Sequence, residues 1–313
     1  IMADSSHDAS TSMLCPRWLV RQGTSAPCVD TVRPMPGVFA DATTVRRLVT
    51  EALPATADGG AQVVRFAGEV APGWDIGGNA NGGYLMAIAG RAMADAVGRP
   101  PVTLTAHYLR PATPGPCEIE VSIVRSGRRF ATATASLTME SGEILQLLGT
   151  FGDQTPGGPS LTRESPVDLP DYDDCEIPPA ATDGPLPEIT RRLAVRIRPG
   201  DEGFRTGSPT GEPEIRGWFA FADDEPIDAI GLLLVADAFP PPIFNTTLPV
   251  AWVPTVELTV HVRGIPEPGP LRCWFRSRFV HDGLLDEEGE IWDSTGKLVA
   301  QSRQLALLPR PAG

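Results

Sequence analysis

Ile227, Ile230, Leu234 and Asp237 are spaced three, four and three residues apart, so a helix through them would carry all four on one face. A carboxylate on that apolar stripe loses hydration, which raises its pKa and is costly unless hydrogen bonds satisfy it. Such a group is suited to act as a general base or to hold a water, although a carboxylate near a helix end also suits the capping of a loop. Near the C-terminus, LVAQSRQLALL alternates so that Leu298, Ala300, Ser302, Gln304, Ala306 and Leu308 share a face. Gln304 can donate and accept at once, which suits orientation of a water or, equally, a core amide bonded to backbone. Thr255 opens a strand after Pro254 and alternates with the polar Glu257, Thr259 and His261, which leaves its facing open. In NANGGYL, Asn81, Gly82 and Gly83 stand at a helix start, where free amides and the positive dipole end can receive a developing oxyanion. Glycine pairs also serve turns and close packing.

The elements that must position these groups occur twice. VTLTAHYLRPATPGP from Val102 matches VELTVHVRGIPEPGP from Val256 at an offset of 154 residues, without a gap. The same offset sets Ser141–Gly152 against Thr295–Ala306. A period this long signals a duplicated domain rather than a solenoid. Each copy reads as a helix followed by an antiparallel sheet, an α+β plan. A short helix is expected over Ala42–Leu53, a strand over Ala61–Val70, a helix after Gly83 and a second-copy helix over Pro226–Ala238. The organisation expected is a disordered or loosely packed tail over 1–40, one copy over 41–152, a linker over 153–187 and the second copy over 188–313. At offset 154, Gln304 falls against Thr150 and Thr255 against Pro101. Aligning MADA at Met93 with VADA at Val235 sets Asp237 against Asp95, whose ion pair with Arg91 one turn earlier would explain it. That alignment leaves 12 additional residues in the loop FPPPIFNTTLPVAWVP, either a surface loop or a wall beside the site. One chemical centre per chain is therefore expected, in the second copy. His107 and His261 hold equivalent positions, which favours a structural role for both, and RSGRR at Arg125–Arg129 reads as a hairpin turn.

A net charge of −13 and a pI near 4.8 argue against nucleic acid or an anionic membrane as partner. Five cysteines without CxxC spacing and four scattered histidines indicate neither a metal site nor a disulfide framework. With no long apolar run and no signal-peptide pattern, a cytoplasmic protein is expected.

WDIGGNANGGYLMAIAGRA, HYLRPATPGP, RSGRR, WVPTVELTVHV and IWDSTGKLVAQSRQLAL, in this order and over roughly residues 60–308, resemble the type II acyl-CoA thioesterases, the TesB-like double hotdogs. The resemblance implies two fused hotdogs, each a long helix wrapped by an antiparallel sheet, that hydrolyse acyl-CoA without a cofactor and assemble as homo-oligomers. It further implies a hydrolytic water held by Asp237, Thr255 and Gln304, with the amide of Gly83, together with Gly82, polarising the thioester carbonyl; fatty acid metabolism is the implied setting. Two other readings stand beside it: a hotdog hydratase or dehydratase of enoyl or hydroxyacyl thioesters, and an acyl-CoA-binding module without turnover.

Overall fold

The structure is a computed structural model and describes residues 37–52, 62–154, 161–175, 187–248 and 250–308. The expected tail over 1–40 falls, except for its last four residues, outside the described residues. The first copy comprises α1 (Val38–Ala42), β1 (Arg46–Ala52), β2 (Gln62–Val70), a small ribbon of β3 (Asp75–Ile76) and β4 (Asn79–Ala80), α2 (Gly82–Val97), β5 (Pro101–Tyr108), β6 (Gly115–Ser126), β7 (Phe130–Met139) and β8 (Gly142–Gly152). The second comprises β9 (Arg196–Ile197), β10 (Glu214–Phe219), α3 (Gly231–Val235), β11 (Thr255–Val262), β12 (Leu271–Arg276), β13 (Val280–His281), β14 (Leu284–Trp292) and β15 (Leu298–Leu307).

All strands except the small ribbon join one antiparallel sheet in the order β1-β2-β6-β7-β8-β5-β11-β15-β14-β12-β10-β9, with β13 on β14. The order is the same from either end once the copies are matched, β5 with β11, β8 with β15, β7 with β14 and β6 with β12. At the seam β5 and β11 run antiparallel with Thr105 opposite Thr259, and their hydroxyls lie 2.8 Å apart. These threonines are separated by the repeat offset of 154, so a pseudo-twofold axis passes between them. Strand alternation turns Leu104, Ala106, Leu258 and Val260 into the core and leaves His107 and His261 exposed on the outer face. Against the inner face lies α2, whose Tyr84–Gly90 segment is buried throughout; its many small residues bring it close to the sheet.

Five expectations are corrected. Residues 46–52 form an edge strand on β2, not part of a helix, because pairing with β2 outweighs a weak local period. The second-copy helix is only Gly231–Val235: Asp228 Oδ1 accepts from the Gly231 amide at 2.6 Å and sets its start, and the prolines at 240–242 prevent its continuation. Both helices begin at the same kind of cap, Asn81 Oδ1 accepting from the Tyr84 amide and Asp228 Oδ1 from the Gly231 amide, so by cap position Asp237 corresponds to the buried Gly90 and not to Asp95. Asp95 is indeed in an exposed ion pair, but with Arg47 at 2.7 Å; Arg91 turns instead to Thr43 and Asp228. Finally, Leu104 is opposite Gly149 and Leu258 is opposite Gln304, so the strand register matches Gln304 with Gly149 rather than Thr150. A one-residue slip of this kind reverses which face a side chain occupies.

Candidate active site

The first turn of α2 is held from several sides. Asn81 caps it, its Oδ1 accepting from the Tyr84 amide at 2.9 Å. The Tyr84 ring stacks on Trp74 with centroids 5.0 Å apart, and its hydroxyl accepts from the Ala71 amide at 3.0 Å and donates to the Ala42 carbonyl at 2.8 Å. The turn thus presents its remaining donors in fixed directions. Asp237, in the turn that closes α3, receives them: its Oδ2 accepts from the Gly83 amide at 2.8 Å and from Asn81 Nδ2 at 3.0 Å, and Asn81 Nδ2 also donates to the Asp237 carbonyl at 2.8 Å. A Cβ on Gly83 would stand 2.8 Å from the Leu233 carbonyl and 2.9 Å from the Asp237 Cβ, so this approach requires glycine.

Burial raises the Asp237 pKa to about 6, against the opposing pull of the Gly83 and Gly82 amides and the Asn81 side chain. The positive end of α2 therefore keeps the anion attainable near neutrality in a site that disfavours it. This changes the expectation for Gly82 and Gly83. Their amides serve the Asp237 carboxylate, because a carboxylate placed at a helix N-terminus takes the donors an oxyanion would have used.

The second cluster is Thr255 with Gln304, whose Nε2 donates to Thr255 Oγ1 at 2.9 Å. A bulge between Thr255 and Glu257 makes the pairing possible. Thr255 is opposite Ala306 and Leu258 is opposite Gln304, so Thr255 shares the inner face with Gln304, while Glu257, Thr259 and His261 follow the other face. Gln304 is 6% exposed, and its Oε1 is buried without a partner. Among the described residues no hydrogen bond links Thr255 or Gln304 to Asp237.

Two groups between these clusters escaped the sequence reading. Glu287 lies directly opposite Gln304 on β14 and is 6% exposed. Burial, with the charges of Asp237 and Asp286, pushes its pKa well above the usual carboxylate value. Tyr108 ends β5 on the inner face; its ring carbons would lie 3.0–3.1 Å from a Cβ on Gly82, and its hydroxyl is buried with no partner. Burial and the charges of Asp237 and Glu257 raise its pKa well above the usual phenol value. Comparison of the copies at offset 154 carries the signal for both, since Tyr108 stands against Val262 and Glu287 against Ala133. By contrast, the RSGRR turn is tied down by Arg99, which donates to the carbonyls of Gly127 and Arg128 at 3.0 and 3.3 Å.

A helix wrapped by an antiparallel sheet, twice in one chain and related by a pseudo-twofold at the seam, is a double hotdog. Residues 70–152 match the model of the acyl-CoA thioesterase N-terminal domain and residues 172–308 that of the C-terminal domain, and the chain belongs to this acyl-CoA thioesterase family. A solved structure from Thermobifida fusca assigned to thioesterase II is 32% identical, covers 89% of this chain and 99% of its own, and superposes with a TM-score of 0.77. A hot dog protein of unknown function from Alicyclobacillus acidocaldarius shares the fold at 23% identity, with a TM-score of 0.71 over 89% of this chain and 100% of its own. An uncharacterized protein of Mycobacterium tuberculosis is 28% identical over 270 residues, 78% of this chain and 91% of its own length.

Proposed function

We propose that the chain hydrolyses acyl-CoA thioesters to the free acid and CoA, with Asp237 as general base. The observation that carries this is the Asp237 carboxylate, partly buried at the N-terminus of α2 with its pKa raised to about 6, so that it is ionised at neutral pH yet basic enough to accept a proton. A water oriented by Gln304 and Thr255 gives a proton to Asp237 as its oxygen bonds to the thioester carbon. Collapse of the tetrahedral intermediate breaks the C–S bond, and the thiolate of CoA takes that proton. The free Oε1 of Gln304 is the acceptor available to hold the water.

Thiol release measured across an acyl-CoA panel tests this reading. Asp237→Asn is expected to lower kcat by about 10²–10⁴-fold with the fold intact, the usual contribution of a general base. Undiminished turnover by the variant sinks the assignment. A hydratase of enoyl thioesters in this fold would rely on a histidine, and His107 and His261 are exposed on the outer face, away from Asp237. Hydration of an enoyl-CoA without thiol release would reverse the preference, and acyl-CoA binding without any turnover would favour a binding module.

A further inference from the structure

The thioester reading leaves one task without an agent. In the tetrahedral intermediate the carbonyl oxygen becomes an anion, and a donor must meet it in a site that excludes water. The donors expected for it, the amides at the start of α2, are directed at Asp237. Nor is Asn81 available, its side-chain nitrogen being used twice on Asp237 and its oxygen on the Tyr84 amide.

Among the described residues, Tyr108 carries a buried hydroxyl beside Asp237 that has no hydrogen-bond partner. Its hydroxyl has no acceptor, and an unmade hydrogen bond of this kind is destabilising unless something else completes it. Its position is between the two clusters: the ring packs on Gly82 and so beside Asp237 Oδ2, which itself would lie 2.9 Å from a Cβ on Gly82. Its strand neighbour His107 is opposite Glu257, so Tyr108 is next to the β11 bulge that turns Thr255 inward. Burial, together with the carboxylates of Asp237 and Glu257, opposes loss of its proton. The second copy has Val262 at the equivalent position, so fold symmetry does not require the phenol.

We infer that the Tyr108 hydroxyl donates to the thioester carbonyl oxygen and holds the oxyanion that forms as the Asp237-activated water attacks, which makes Tyr108 a catalytic residue of this centre. The inference rests on the thioesterase reading. No proton is transferred by Tyr108 in this step: the phenol donates a hydrogen bond that strengthens as charge develops and relaxes when the C–S bond breaks.

The test compares wild type with Tyr108→Phe, which keeps the ring, on the acyl-CoA that wild type hydrolyses fastest. Loss of one oxyanion donor is expected to lower kcat about 10²-fold, with KM changed less than about threefold. The S-alkyl-CoA thioether of the same chain, which lacks the carbonyl, should bind both proteins equally. Turnover by Tyr108→Phe within twofold of wild type overturns the assignment and leaves the hydrolase reading standing. Equal loss of turnover and of thioether binding would show a collapsed pocket and also overturns it. If wild type releases thiol from no acyl-CoA of the panel, the hydrolase reading falls and the role of Tyr108 with it.

Discussion

The pseudo-twofold axis relates two places of the same architecture and opposite chemistry. In the first are Asp237, Thr255, Gln304, Glu287 and Tyr108. In the second, helix position and strand register put Gly90, Pro101, Gly149, Ala133 and Val262. Even the bulge that turns Thr255 inward is repeated at Pro101, where the residue has no hydroxyl to offer. The two helix starts differ in the same sense. The start of α2 points two amides and the Asn81 side chain at a carboxylate from the other copy, whereas Asp228, which caps α3 as Asn81 caps α2, has no side-chain donor to offer and lies 3.8 Å from Arg91. The fold thus creates two sites, and the side chains equip one.

Exchanging residues across the axis should expose this difference most strongly at the unequipped place. Gly90→Asp would bury a carboxylate against Leu233 where no helix end receives it, and a loss of about 3–5 kcal/mol in chemical denaturation is expected. A variant as stable as wild type would mean that the two places differ less than their side chains indicate. At the equipped place, Gln304→Ala leaves Thr255 without its donor and the water without its acceptor. A loss of about 1–3 kcal/mol of transition-state stabilisation, or about 5- to 150-fold in kcat, should follow in steady-state assays.

The next effect is smaller and has the opposite sign. Because the folded-state pKa of Asp237 is raised from 3.8 to about 6, the fold favours its protonated form. That contribution is fully present below about pH 4 and is lost as pH rises through about 6. Asp237→Asn does not titrate, so it should be more stable than wild type by about 1–2 kcal/mol at pH 8 after allowance for partial exposure, and equal to it near pH 4. Melting temperatures at the two pH values check this, and the wild-type rate should rise with pH through about 6. Least of all, Arg47→Ala removes an ion pair exposed on both sides and should cost less than about 1 kcal/mol, whatever its effect on the appearance of the helix end.

Much of this arrangement follows from periodicity. Clean alternation with turn residues between predicts strands over Val102–Leu109, Cys117–Arg125, Arg129–Met139 and Ile144–Phe151, and β5 to β8 lie within about two residues of these bounds; the duplication is plain from VTLTAHY and VELTVHV. Asp237 stands out because a lone carboxylate interrupts an apolar stripe. Its true setting does not, because hydrogen bonds to Asn81 and Gly83 span 156 and 154 residues. Thr255 was ambiguous since a bulge changes the parity of a strand without changing its composition. Glu287 is hidden inside LLDEEGEIW, where a run of acids reads as a solvated face although two of them, Asp286 and Glu287, are buried. Matching Gln304 to Thr150 followed from an ungapped alignment, and only the hydrogen-bond register corrects it by one residue. The same ungapped comparison already set Tyr108 against Val262, so that residue could have been noticed; aromatic residues on a strand's apolar face usually read as core.

The seam at Thr105 and Thr259 has a further consequence. In an assembly of two identical chains every substitution occurs twice, so a residue that strains the fold for the sake of reactivity strains it on both sides. Here the two halves are joined through β5 and β11 within a single polypeptide, and each can change alone. A buried acid such as Glu287 then weakens one half, while its counterpart Ala133 buries only a methyl group. Fusion makes asymmetry heritable, and the half without these buried polar groups becomes a source of stability on which the half that carries them can draw.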